Sequence, residues 1–102
     1  MARALALFAA ASRIDPGNAR YAYVYAVALS DAGQASAAID TLEACIRMHP
    51  YDRDSLATLV TFLERAGDPA KALTYAQRLS ELEPANLKVR QTLETLNDQL
   101  HR

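Results

Sequence analysis

Pro16, Pro50 and Pro84 stand at a constant interval of 34 residues, and that interval constrains the fold more than any other feature of the chain. Asn18, Asp52 and Asn86 follow each proline by two positions. Gly33 and Gly67 keep the same 34-residue step, as do Ala4, Ala38 and Ala72. A fixed period of this length marks a stacked array, in which each unit buries its apolar face against its neighbours because it cannot do so alone. Arrays of this kind usually bind other proteins and seldom catalyse reactions.

Composition agrees with a helical array. The chain has 102 residues, enough for one structural unit with a continuous core and too few for two ordinary domains. Half of it is apolar, with Ala and Leu prominent, and both lose little on entering a helix. Val, Ile and Thr are scattered and never alternate over a useful length, so the strand signal is poor. The formal net charge is −1 with the two signs interleaved, and no basic stripe marks a nucleic-acid or anionic-membrane surface. Cys45 is the only cysteine, which excludes an internal disulfide and a thiolate metal cluster. One buried thiol suits either the cytoplasm, the favoured compartment, or the periplasm. No stretch reaches transmembrane length free of charge. Met1-Ala2-Arg3 followed by an Ala- and Leu-rich run has the outline of a short signal peptide. The repeat register argues otherwise. Ala4, Phe8, Ala11 and Pro16 fall where Ala38, Leu42, Cys45 and Pro50 fall one period later.

Each period reads as two helices. From Ala19, the positions Ala22, Tyr25, Ala26 and Leu29 lie on one helical face. Asp31-Ala32-Gly33 ends that helix, with Gly33 able to take the left-handed conformation. Ala38, Ile39, Leu42, Cys45 and Ile46 share the face of a second helix, which stops at His49 because a residue before proline resists the helical conformation. Asp52 is then placed to cap the next start. In the following period Leu56, Leu59, Val60 and Leu63 form the first stripe and Gly67 closes it. Asp68-Pro69 opens a helix carrying Ala72, Leu73, Ala76, Leu79 and Leu82, with proline at the first position where its missing N–H costs nothing. A last helix after Asn86 carries Val89, Leu93, Leu96 and Leu100. Six helices are predicted.

Laid out this way, the chain resembles the tetratricopeptide repeat (TPR) family, whose units are helix–turn–helix pairs of 34 residues. The family pattern, Trp-x2-Leu-Gly-x2-Tyr, then Ala-x3-Phe and a closing Pro, falls on Ala22, Tyr25, Ala26, Leu29, Ala38, Leu42, Cys45 and Pro50. One period on it falls on Leu56, Leu59, Val60, Leu63, Ala72, Ala76, Leu79 and Pro84. The resemblance implies an all-α fold, a right-handed superhelical stack. Its parts would be a half repeat over 1–18 with the second helix only, full repeats over 19–52 and 53–86, and a capping helix over 87–102. Departures are local. Tyr25 carries bulk that the family places at Ala22, and Ala76 and Leu79 exchange large for small, a volume-conserving trade that cores tolerate. Val60 exceeds the usual Gly or Ala and should push neighbouring helices slightly apart. Arg90, Glu94 and Asn97 occupy slots that would be apolar inside the array, as suits a polar-faced cap.

Little in the chain suggests chemistry. His49 and His101 lack partners at metal-ligand spacing, and His49 reads as a solvated linker residue. Cys45 fills a small-residue slot and reads as an inert buried thiol. No phosphate loop, Ser–His–Asp grouping or haem motif is present, so the expectation is no enzyme, no cofactor and no metal. The face of each first helix opposite its core stripe is the candidate binding surface, and in the family such faces line a concave groove. It comprises Arg20, Tyr23, Val24 and Val27, then Asp54, Thr58, Thr61 and Arg65, then Lys88, Gln91 and Thr95, with Ser30, Asp31, Ala57, Glu64, Thr92, Asp98 and Gln99 beside them. The family's Lys-x3-Asn clamp for a terminal carboxylate is not matched, because its slots hold Tyr23 and Val27 in one helix and Ala57 and Thr61 in the next. The functional expectation is a module for a protein or peptide partner, cut from a larger protein. The alternative is a segment for homo-oligomerisation or interdomain packing. Leu5 and Phe8, lacking a preceding helix in this reading, are placed to form a weak homodimer.

Overall fold

The computed structural model describes residues 2–15 and 17–101, apart from the side chains of Ala2, Arg3, Ala4 and Ser12. Pro16 and the Ala4 side chain, both part of the periodic pattern, therefore lie outside the described residues. Six helices follow in order: α1 (Ala2–Ile14), α2 (Ala19–Asp31), α3 (Ala35–Met48), α4 (Arg53–Arg65), α5 (Pro69–Leu82) and α6 (Leu87–Leu100). No strand occurs among the described residues.

The recurring polar residue after each proline is a helix cap. Asn18, Asp52 and Asn86 accept the backbone N–H of Tyr21, Ser55 and Val89 at 3.1, 3.2 and 3.2 Å. Asp68 does the same for Lys71 at 3.2 Å, with Pro69 at the start of α5. Each such cap stabilises its helix by about 1 kcal/mol. The periodic glycines serve the other ends. Gly33 and Gly67 have φ of 81° and 78°. The N–H of Gln34 then reaches the Leu29 carbonyl, and that of Asp68 the Leu63 carbonyl, each at 2.9 Å. Those bonds close the carbonyl ends of α2 and α4, and the required φ favours glycine.

Every helix packs on the next one in the chain, and among the described residues only α2 and α4 also touch out of sequence. The result is an elongated stack of 42 × 25 × 19 Å. Its core is one continuous layer in which Ala26, Ala38, Leu42, Leu56, Leu59, Ala72 and Leu96 are wholly buried. α4 packs on α5 as extensively as α2 on α3, with Val60 where the family usually has Gly or Ala. The extra methyl groups have room because Val60 borders an open cavity. On α6, Val89 and Leu96 are buried and Arg90, Glu94 and Asn97 are exposed.

Two residues near helix ends do more than the pattern indicated. His49 is half-buried, and its Nε2 lies 2.6 Å from the Gly17 carbonyl oxygen. A carbonyl can only accept, so Nε2–H donates and joins the α1–α2 link to the α3–α4 link. The expectation of a solvated linker residue is corrected accordingly. Ser55 is fully buried, yet its hydroxyl donates to Asp52 at 2.5 Å and lies 3.5 Å from the Cys45 sulfur. That satisfies the one buried polar side chain among the described residues.

Because Leu42 and Leu59 are both wholly buried, Leu42→Ala and Leu59→Ala are each expected to cost about 2–5 kcal/mol. Chemical denaturation monitored by circular dichroism measures this directly. Unchanged midpoints would show that these two leucines do not carry the core.

Candidate partner-binding groove

The exposed faces of α2, α4 and α6 carry the candidate surface. On α2, Tyr23, Val24 and Val27 are half-buried and Arg20 is exposed, its guanidinium 5.4 Å from the centroid of the Tyr23 ring. On α4, Asp54, Thr61 and Arg65 are exposed and Thr58 is half-buried. On α6, Lys88, Gln91 and Thr95 are exposed.

A cavity of about 170 Å³ opens where α4, α5 and α6 meet. Its apolar lining comes from Ala57 and Val60 of α4, Ala76 and Leu79 of α5, and Val89 of α6. Arg53, Thr61, Glu64, Asn86, Lys88 and Thr92 supply polar and charged groups around it. Of the surface residues anticipated for binding, this cavity brings together Thr61 and Lys88, with Ala57, Glu64 and Thr92 beside them. Arg20, Tyr23, Val24, Val27, Asp54, Thr58, Arg65, Gln91 and Thr95 do not line it. Arg65 borders a separate hollow of about 90 Å³ with Ser30, Ala35, Phe62 and Ala66. The sequence pattern did not single out Val60, Ala76, Leu79 or Val89 as lining residues, because core positions and cavity walls share the same apolar signature.

The polar groups differ in how free they are. Arg53 donates to Glu83 at 2.8 Å and to Asp54 at 3.2 Å, joining the start of α4 to the end of α5. Thr61 and Thr92 donate their hydroxyls to the Ala57 and Lys88 carbonyls at 3.2 and 2.9 Å, leaving both lone pairs of each oxygen able to accept. Lys88 sits in the first turn of α6 without an ion pair among the described residues. A cation there opposes the helix dipole, so an arriving carboxylate would find both the ammonium and the helix end favourable. The site therefore offers an apolar hollow, hydroxyl acceptors and one uncommitted cation.

Among the described residues, no group of three potential metal ligands gathers, and no helix is long and apolar enough to cross a membrane. Burial pushes the Cys45 thiol upward, against the lowering effect of the Ser55 hydrogen bond, and the Asp52 charge raises it further.

A helical stack of this kind defines a repeat protein. The profile of the tetratricopeptide repeat matches residues 1–61, more than half of the chain, and the chain belongs to that family. The first TPR of Spaghetti (RPAP3) bound to the HSP90 peptide SRMEEVD is similar in structure, with a TM-score of 0.84 at 15% identity over 96% of this chain and 78% of that one. A MamA structure superposes with a TM-score of 0.85 at 18% identity, over 95% of this chain and 57% of that one. A second MamA structure gives 0.83 at 18% identity, over 92% and 51%. This chain thus spans little more than half the length of either MamA chain. No curated protein matches it. At these identities the likeness is one of fold. Proteins of this family and fold are generally interaction modules without enzymatic activity, and the fold resembles that of peptide-binding TPR domains.

The environment of Cys45 yields a direct test. A thiol that is buried and raised in pKa should react with an aromatic disulfide reagent at pH 8 at least about tenfold more slowly than free cysteine. Denaturant should restore the normal rate. Fast labelling of the folded chain would contradict the burial.

Proposed function

We propose that the chain is a protein- or peptide-binding module that uses the faces of α2, α4 and α6, with the α4–α6 cavity as its anchor point. The observation that carries this reading is the cavity itself, which pairs an apolar lining with the uncommitted Lys88. A hollow of about 170 Å³ suits one aliphatic side chain of a partner. Lys88 would then take a carboxylate next to that side chain. Tyr23 and Val27 would extend the contact along α2, since aromatic side chains are the usual anchors of such surfaces. The solved complex of a similar fold with an acidic peptide supports a peptide partner. In this reading the chain is part of a larger protein and has no catalytic role. Its units are a half repeat over 1–18, repeats over 19–52 and 53–86, and a cap over 87–102.

Peptides selected from a displayed random library against the intact chain test the proposal. They should share an aliphatic residue beside an acidic one. Ala57→Leu, which fills the hollow, should weaken them about tenfold or roughly 1.4 kcal/mol. Tyr23→Ala, Val27→Glu and Lys88→Ala should each weaken them without loss of helical circular dichroism. Undiminished binding by all four variants would place the binding surface elsewhere.

A second reading, self-association through α1, is favoured by the apolar side chains there. Leu5 is half-buried against the core and Phe8 is half-buried, while Leu7 and Ile14 are 64% and 84% exposed on one side of the helix. A second copy covering these residues would form a weak two-fold dimer. Sedimentation should then show a concentration-dependent rise in mass that Leu7→Glu with Ile14→Glu abolishes. A single monomeric species at all concentrations would remove this reading.

A further inference from the structure

A second charged cluster lies between α3 and α5 and shares no residue with the α4–α6 cavity. Its centre is Glu43, whose side chain is 18% exposed. One carboxylate oxygen lies 3.5 Å from the Lys71 ammonium, and the other accepts the Tyr75 hydroxyl at 3.1 Å. Glu43 is therefore already balanced by Lys71. Arg47 and Arg78 face a cavity of about 290 Å³ completed by Glu43, Ile46, Pro50 and Tyr75, and neither has a carboxylate partner among the described residues.

Arg78 is held ready. Its guanidinium lies 5.7 Å from the Tyr75 ring centroid, and its Nη1 is 3.5 Å from the Pro50 carbonyl oxygen. Burial, then the bond to Glu43 and its charge, raise the Tyr75 pKa, whereas the charges of Arg78 and Arg47 act in the opposite direction. Both guanidinium groups therefore act on the same phenol. The fold does not ask for this arrangement. One period earlier, the slots of Tyr75 and Arg78 hold Thr41 and Ala44, and the same stack forms around them.

We propose that Arg47 and Arg78, beside the Pro50 turn, bind a phosphate monoester carried on a partner protein. Two uncompensated guanidinium forks match an anion of charge near −2 with three acceptor oxygens. A single carboxylate would occupy one fork and leave the other unused. The site is independent of the groove reading.

The test is a titration of the intact chain with N-acetyl-phosphoserine amide at constant ionic strength, followed by backbone amide NMR. Saturable shifts are expected around Arg47, Tyr75 and Arg78. Arg47→Gln with Arg78→Gln should weaken binding by about tenfold or more, and the double lysine variant should fall between it and wild type. N-acetyl-glutamate amide should bind about tenfold more weakly than the phosphoserine compound. Ala57→Leu should leave these affinities unchanged, which separates the site from the groove. Equal affinity for the glutamate compound would overturn the phosphate assignment. Shifts reproduced by chloride, or full affinity in a folded double glutamine variant, would overturn the site. Should that variant unfold, full affinity in the folded double lysine variant would overturn it instead.

Discussion

Small side chains between paired helices are the constraint on which the rest of this structure depends. Ala26, Ala38 and Ala72 are wholly buried where α2 meets α3 and α4 meets α5. A methyl group at these points lets the leucines on either side reach across and fill the layer. A larger residue in a closed position would force side chains from their rotamers, at about 1–3 kcal/mol. Because no helix pair closes its own core, the energy of each pairing is shared with the next, and stability runs along the stack from neighbour to neighbour. The chain is accordingly an elongated array rather than a sphere.

The same logic explains what could be read from the amino acids. Helix ends were legible because they depend on short-range chemistry. Asn18, Asp52 and Asn86 cap the residue three positions on, and Gly33 and Gly67 supply a backbone angle other residues resist. The core stripe was legible because a helix places its apolar residues at fixed angular intervals. His49 was misread because its bond to Gly17 crosses 32 positions, a distance no local pattern encodes. Periodicity itself can also mislead about burial. Ile14, Met48 and Leu82 occupy one slot in successive units, yet they are 84%, 60% and 39% exposed. Repetition there records position in the unit and not packing.

The candidate groove was legible in part, for a geometric reason. A face opposite the core stripe identifies which residues point away from the core, and on it Thr61 and Lys88 are exposed whereas Tyr23, Val24, Val27 and Thr58 are half-buried. It cannot say where neighbouring helices part. α2 and α4 approach one another, whereas α4 and α6 do not come within 8 Å at their Cα atoms, and the cavity occupies that gap. The lining therefore includes Val60, Ala76, Leu79 and Val89, which a one-dimensional reading assigns wholly to the core. Val60 serves both roles, with one side against the core and the other toward the hollow.

Recognition in such an array has to come from residues that break the period, because those that keep it are committed to folding. Lys88 illustrates the point: the slots one and two periods earlier hold Asp54 and Arg20, so the array tolerates either charge there. The folding stripe permits no such freedom at Ala38 and Ala72, which are identical in type and wholly buried. Arg47 lies in a slot that holds Arg13 one unit before and Glu81 one unit after, again without consequence for the helix that carries it. Substituting such residues therefore changes what the surface attracts while leaving the stack intact. A repeat scaffold can vary its partners through these positions alone, because the energy that holds it together resides in different side chains from the energy available for binding.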